Sequence, residues 1–275
     1  MDQRGLSGGT VAEFSGPFPE HARCDSAPTA VATLGDTVLT LERCGTVRRD
    51  GVVQRRLEDP SGFLRQVGQT VVAGTQSGTL VDALTGCSLY RHQSGLTGSS
   101  TFSGHIALGT STGEVVVLTA GFQHTATLDL DGSPLTDVAV AGGVLFALSA
   151  DGSATWWDVS TGEQLGHKRG VFANACIALP DNRFATVGPE LRLWSESEVA
   201  VVPTPRPLTT LAVSADGMLI AAGSPTGPLA VYDLPTRQWV TVPIAAVAAL
   251  HYATDRFLAC TTDGRLREVP ADTLF

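Results

Sequence analysis

The sequence predicts an all-β chain: a single seven-bladed β-propeller of four-stranded antiparallel blades, with an N-terminal strand closing the last blade. Three observations predict it. First, a turn glycine between two apolar strands recurs at 45, 78, 113, 152, 227 and 264, with a degenerate copy centred on Pro189, at intervals of 33 to 39 residues. A period of roughly 40 residues holds four short strands per unit. Second, the segments flanking these turns alternate apolar and polar residues between Gly, Asp and Ser clusters, the pattern of half-buried strands. Third, no long stretch reads as an amphipathic helix. One such sheet cannot bury both of its faces alone, so the units stack radially and close a ring.

The elements follow in order. An N-terminal segment, 1–26, precedes blades expected at 27–59, 60–97, 98–133, 134–169, 170–206, 207–243 and 244–275. Their central turns read ERCGTVRR, TQSGTLV, TSTGEVVVL, SADGSATWW, VGPELRLW, SPTGPLAVY and TTDGRLREV. Third strands close on Asp-x-x-Thr-Gly in DALTG at 82–86 and DVSTG at 158–162, and on the variant DLPTR at 233–237. The last blade runs out of chain after its third strand. GGTVAEFSGPF at 8–18 is expected to supply the missing outer strand and to zip the ring closed. Met1 and this closing strand favour a complete protein over a fragment.

The unit ADGSATWWDVSTGEQLGH at 150–167 resembles a WD40 repeat. In that family the third strand ends in Trp-Asp and a Gly-His lies near the fourth strand. Trp157-Asp158 and Gly166-His167 stand at those places, and Tyr232-Asp233 is a variant of the first pair. SADG at 214–217 matches the turn between the first two strands, and PDN at 180–182 is a variant of it. The other copies lack the signature dipeptides, so the resemblance spans 27 to 275 by spacing and one unit by motif. It implies an interaction scaffold within a multi-protein assembly. It also implies that Trp157 packs between blades, and that His167 ties its blade to neighbouring turns by a hydrogen bond. Trp194 is expected at the same place in the next blade, and Trp239 on an outer strand, partly exposed.

Composition excludes several classes. The chain of 275 residues has a net charge of −9, with Lys168 as its sole lysine. Nucleic acids and anionic membranes attract basic surfaces, so no nucleic-acid partner is expected. The N-terminus has no apolar run of a signal peptide, and no apolar stretch is long enough to span a bilayer, so a cytoplasmic protein without membrane insertion is expected. Five widely spaced cysteines, at 24, 44, 87, 176 and 260, read as reduced and mostly buried thiols. No histidine or cysteine pair stands at metal-ligand spacing, and no cofactor or metal is expected.

Catalytic motifs fail on context. GLSGG at 5–9 and GTSTG at 109–113 fit the nucleophile-elbow pattern, which needs a strand before the Ser and a helix after it. Neither has both, so no catalytic residue is assigned and the protein is not expected to be an enzyme. DLDGS at 129–133 lacks the later ligands of a calcium loop and reads as a turn. Glu163 and Glu58-Asp59 read as solvated turn residues. The alternative is a propeller enzyme, or a small-molecule or calcium binder, using the central channel as lactonase-like propellers do; only two asparagines, Asn174 and Asn182, are present to serve it.

One rim of such a ring is built by the loops entering the first strands and by the turns between second and third strands. The expected rim residues are Phe63, Arg65, Phe102, His167, Lys168, Arg169, Phe172 and Arg206. HKRGVF at 167–172 stands out as a cluster of cations before a Phe in an acidic chain, and interfaces favour Arg and aromatic anchors. The bland reading turns Phe172 into the core. Proteins or peptides are the expected partners, bound by a monomeric propeller within a hetero-complex. The second basic run, RRDGVVQRR at 48–56, is expected on outer strands with its Arg side chains in solvent, where charge discourages edge pairing.

Overall fold

The turn glycines carry the repeat. In a computed structural model, which describes residues 12–13, 20–130, 132–195 and 199–275, Gly45, Gly78, Gly113, Gly152 and Gly264 all adopt φ between 82° and 89°. That region strains any residue with a Cβ. A Cβ on Gly78 would also lie 2.4 Å from the carbonyl oxygen of His92. The close approach has a purpose repeated in every unit. The carbonyls of Gly45, Gly78, Gly113, Gly152, Gly188, Gly227 and Gly264 accept the amides of Leu57, His92, Leu130, Val171, Leu208, Ala246 and Cys24, at 2.5–3.0 Å. Each bond pins the chain leaving an outer strand onto the turn of the same sheet.

These sheets are the blades. Blades 1 to 6 begin at innermost strands Pro28–Leu34, Pro60–Val67, Leu96–Phe102, Leu135–Ala141, Ala175–Ala178 and Thr210–Val213. They end at outer strands Val52–Arg56, Ser88–Arg91, His124–Asp129, Gln164–Arg169, Val199–Pro203 and Gln238–Val242. Blade 7 has Val247–Ala253, Arg256–Thr261 and Arg265–Pro270, and its outer strand is Glu20–Arg23, antiparallel to Arg265–Pro270. An N-terminal strand therefore closes the ring, but it is not drawn from 8–18 as expected. Within that stretch, the described pair Ala12–Glu13 runs parallel to Val240 and Thr241 as a fifth strand on blade 6. The alternation in 8–18 marks a strand; it does not mark the blade that the strand joins.

The apolar core lies between blades. Seven buried clusters fill the seven junctions, from Leu39, Leu41, Leu64 and Val71 between blades 1 and 2 to Val31, Val38, Leu258 and Leu266 between blades 7 and 1. Each strand of a middle pair buries both faces, one against each neighbour, so near-continuous apolar runs such as VLFALS and FLAC are buried. Trp156 and Trp157 leave one strand in opposite directions. Trp156 stacks with Phe146 at 6.2 Å toward blade 5, and Trp157 packs against the buried cluster shared with blade 3. Trp194 faces its preceding blade as Trp157 does, and its indole N–H donates to Thr186 at 2.9 Å. Trp239 departs from expectation: it is buried, and its indole N–H donates to the Pro203 carbonyl of blade 5 at 3.0 Å. An outer strand still buries a side chain that lies over the neighbouring blade.

The Asp-x-x-Thr-Gly turns have a local cause. Asp158 Oδ1 accepts the amides of Ser160 and Thr161 at 2.8 and 2.9 Å, and Asp82 does the same for Leu84 and Thr85. The carboxylate mimics a backbone turn, and Gly86 and Gly162 follow at φ 71°.

The basic run at 48–56 also departs from expectation. Arg48 is not in solvent: it is buried and donates to Glu42 at 2.6 Å, to the Gly51 carbonyl at 2.9 Å, and to Asp25. Glu42, fully buried, accepts the Ser26 amide at 3.0 Å and the Ser26 hydroxyl at 2.7 Å. Burial opposes the Glu42 charge, but the bonds from Arg48 and Ser26 outweigh it and hold its carboxyl below the usual range. This network fastens the chain leaving the closing strand onto blade 1. Arg55 also turns from solvent, donating to the Leu84 carbonyl of blade 2 at 3.0 Å.

Candidate functional site

The rim carries the first candidate site. Gln164–Arg169, the outer strand of blade 4, pairs Lys168 with Ala154 and Arg169 with Ser153, which carries the cations up to the turn at Gly152. His167, Lys168 and Arg169 are all exposed. The chain then crosses to blade 5 through Gly170 and Phe172, both at positive φ. Phe172 is held at φ 44° with its side chain 65% exposed. Its ring rests over Gly152, where a Cβ would meet Cε1 at 2.4 Å, and its carbonyl crowds Gly188 of blade 5. A large aromatic is thus kept in water between two blades by a backbone conformation unusual for it. The reading that turns Phe172 into the core does not hold.

The other expected rim residues are scattered. Arg206 is on the same rim, in the connection from blade 5 to blade 6, with its guanidinium folded over Gly227. Phe63 is buried in the innermost strand of blade 2, against Gly74 and Leu96, because strand alternation carries it into the junction with blade 3. Phe102 ends the innermost strand of blade 3, at the opposite face of the ring, stacked on His105 at 5.6 Å. Arg65 points into the channel. His167 does not tie its blade: its strand register leaves it in solvent, with no side-chain hydrogen bond among the described residues. Gly166 instead makes room for Trp156, whose ring a Cβ would meet at 2.2 Å.

The central channel is the second place where polar groups converge; the sequence offered it only as the alternative site and did not assign its residues. All seven innermost strands line a cavity of about 230 Å³. Arg65 donates to the Ser99 carbonyl at 2.7 Å, and desolvation lowers its pKa. Asp137 accepts the Cys176 amide and the Val138 amide, each at 2.9 Å, yet desolvation still pushes it up to about 6. His251 Nε2 lies 3.1 Å from the Thr33 hydroxyl, and desolvation, with the Arg65 charge behind it, pulls its pKa down to about 4. Arg65, Asp137 and His251 come from three blades spread across 187 residues, so no local motif announces them. The available signal was a charged or titratable residue at an inward position of several first strands, as at Arg65, Asp137 and His251.

Other motifs stay structural. Ser111 of GTSTG sits in a strand-to-strand turn, and its hydroxyl accepts the Gly95 amide at 3.1 Å. GLSGG and Asp131 of DLDGS lie outside the described residues. Among the described residues no group of three or more His, Cys, Asp or Glu is placed to hold a metal ion. All five cysteines are free; Cys24, Cys176 and Cys260 are buried, whereas Cys44 and Cys87 are exposed in turns. Among the described residues no helix is long and apolar enough to cross a membrane.

Seven radial antiparallel sheets around a polar channel define the class as a seven-bladed β-propeller. The fold is similar to that of the computationally designed Ika8 protein in its crystal structure, with a TM-score of 0.67 and 20% identity. That likeness covers 91% of this chain and 99% of the designed one, and at this identity it concerns the fold alone. The chain matches no protein-family profile, and no curated protein matches its sequence.

Proposed function

We propose that the protein is a non-enzymatic, WD40-like interaction scaffold, a cytoplasmic subunit of a multi-protein assembly that binds a protein or peptide at the rim between blades 4 and 5. One observation carries this reading: Phe172 stands 65% exposed in a left-handed backbone conformation, beside the exposed cations Lys168 and Arg169. An aromatic anchor flanked by cations suits a partner segment with an apolar side chain among acidic residues. The rigid ring presents this cluster without ordering any loop on binding, which lowers the entropic cost of association. Five free thiols suit a reducing compartment.

The test compares capture by the tagged wild type with capture by the Arg169→Glu, Phe172→Ala variant from the native cell. A stoichiometric co-purifying protein that is lost with the variant, while the melting temperature stays unchanged, supports the proposal. Equal capture by both proteins, or none by the wild type, contradicts it.

A further inference from the structure

We propose that the central channel binds a small oxyanion, a phosphoryl or carboxylate group, through the Arg65 guanidinium. This site is separate from the rim and goes beyond the scaffold reading.

Arg65 sits within the ring on the innermost strand of blade 2, and its listeners are few. Nη2 donates to the Ser99 carbonyl at 2.7 Å and Nε reaches the Ser99 hydroxyl at 3.4 Å. Nη1 has no acceptor among the described residues. A desolvated guanidinium offers five donors in a planar fork and needs a counter-charge. Asp137 is the acid whose charge it feels, but no Arg65–Asp137 ion pair forms within 4 Å among the described residues. Both Asp137 oxygens are taken by backbone amides, of Cys176 and Val138. A Cβ on Gly98 would lie 2.8 Å from Asp137 Oδ1, so the strand beside it is already in close contact with the carboxylate. The cation therefore has no carboxylate at ion-pair distance among the described residues, and Asp137 acts on it only from further off.

Space and chemistry agree with that deficit. The cavity of about 230 Å³ is large enough for a compact anion and small enough to exclude a folded domain or a nucleotide chain. Its wall carries an imidazole beside the guanidinium. His251 engages Thr33 through Nε2 alone, leaving Nδ1 without a partner among the described residues. A guanidinium fork and an imidazole around one small void suit a small oxyanion, whose oxygens accept from the fork, while the Asp137 carboxylate on the same wall already accepts the Cys176 and Val138 amides.

The experiment uses the full chain at constant ionic strength, with sodium chloride as the reference. Inorganic phosphate and acetate are added separately, and binding is followed by calorimetry and by melting temperature. Saturable heat and a rise in melting temperature are expected with at least one anion. Phosphate alone names a phosphoryl ligand; acetate as well names a carboxylate-tolerant site. Arg65→Met weakens that binding by about tenfold or more, the loss of a charge-assisted contact. Unsubstituted crystals soaked in bromide give a second readout that does not depend on the variant folding. An anomalous peak against the Arg65 guanidinium is expected. No effect of either anion beyond chloride, binding unchanged in Arg65→Met, or bromide only at the outer surface overturns the proposal.

Discussion

A single carbonyl approach decides which residue the central turns accept. The Gly78 carbonyl holds the His92 amide at 2.8 Å, while the His92 and Ser94 carbonyls stand 2.4 and 2.5 Å from where a Cβ would be. Gly78→Ala combines positive φ with a backbone clash and is expected to cost about 2 kcal/mol or more in urea unfolding. The channel residues give a second residue-scale prediction, with opposite signs. Asp137 titrates at about 6 when folded, above its ordinary value, so it stabilises the fold at low pH and loses that contribution as pH rises toward 6. His251 titrates at about 4, below its ordinary value, so its contribution is present above the unfolded value and is lost as pH falls toward 4. The two slopes oppose between about pH 4 and 6, each up to about 1.4 kcal/mol per pH unit. Relative to wild type, Asp137→Asn is expected to gain stability as pH rises through that window, and His251→Gln to lose it. Parallel pH profiles for the three proteins would remove the account of the channel. These residues were not legible in sequence, because their environment is assembled from blades far apart in the chain.

At the scale of the element, the closing strand and its anchor decide whether the ring holds. Glu42 and Arg48 form a buried pair beside the chain that enters blade 1. Glu42→Gln takes from Arg48 its buried counter-charge, leaving only the exposed Asp25, and is expected to cost about 3 kcal/mol. Adding Arg48→Met should return part of that loss, a coupling that a double-mutant cycle in urea measures. Truncation locates the closure itself. Removing residues 1–19 leaves Glu20–Arg23 on blade 7 and should cost less than removing 1–23, which exposes the edge of Arg265–Pro270 to aggregation. Equal melting temperatures for the two truncations would contradict the assigned closure. The strands themselves were readable from alternation and turn glycines. Arg48 was misplaced because period-two alternation separates the two faces of a strand without saying which face a neighbouring chain covers. The destination of the 8–18 stretch was hidden for a related reason: backbone pairing partners leave little trace in a short polar strand.

For the whole molecule, seven repeats were visible because five share the left-handed turn glycine and all seven share the turn's carbonyl bond and the same radial burial. The ring then supplies what no single blade could: a polar channel, two rims and an edge of outer strands. Sequence marked HKRGVF by composition, and the ring adds that Phe172 faces outward over Gly152 between two blades. Phe63 and Arg65 were drawn to the rim by charge and aromaticity, although strand position sends one into a junction and the other into the channel. If the rim is the working surface, function separates from stability there: Arg169→Glu with Phe172→Ala should leave the unfolding midpoint unchanged. The most direct measurement is amide hydrogen exchange on the protein alone and in complex with its captured partner. The account predicts new protection at residues 167–174 and at the adjacent turn 150–153, with the channel strands unaffected. Protection confined to another edge or to the opposite face, with 167–174 exchanging as in the free protein, would contradict it.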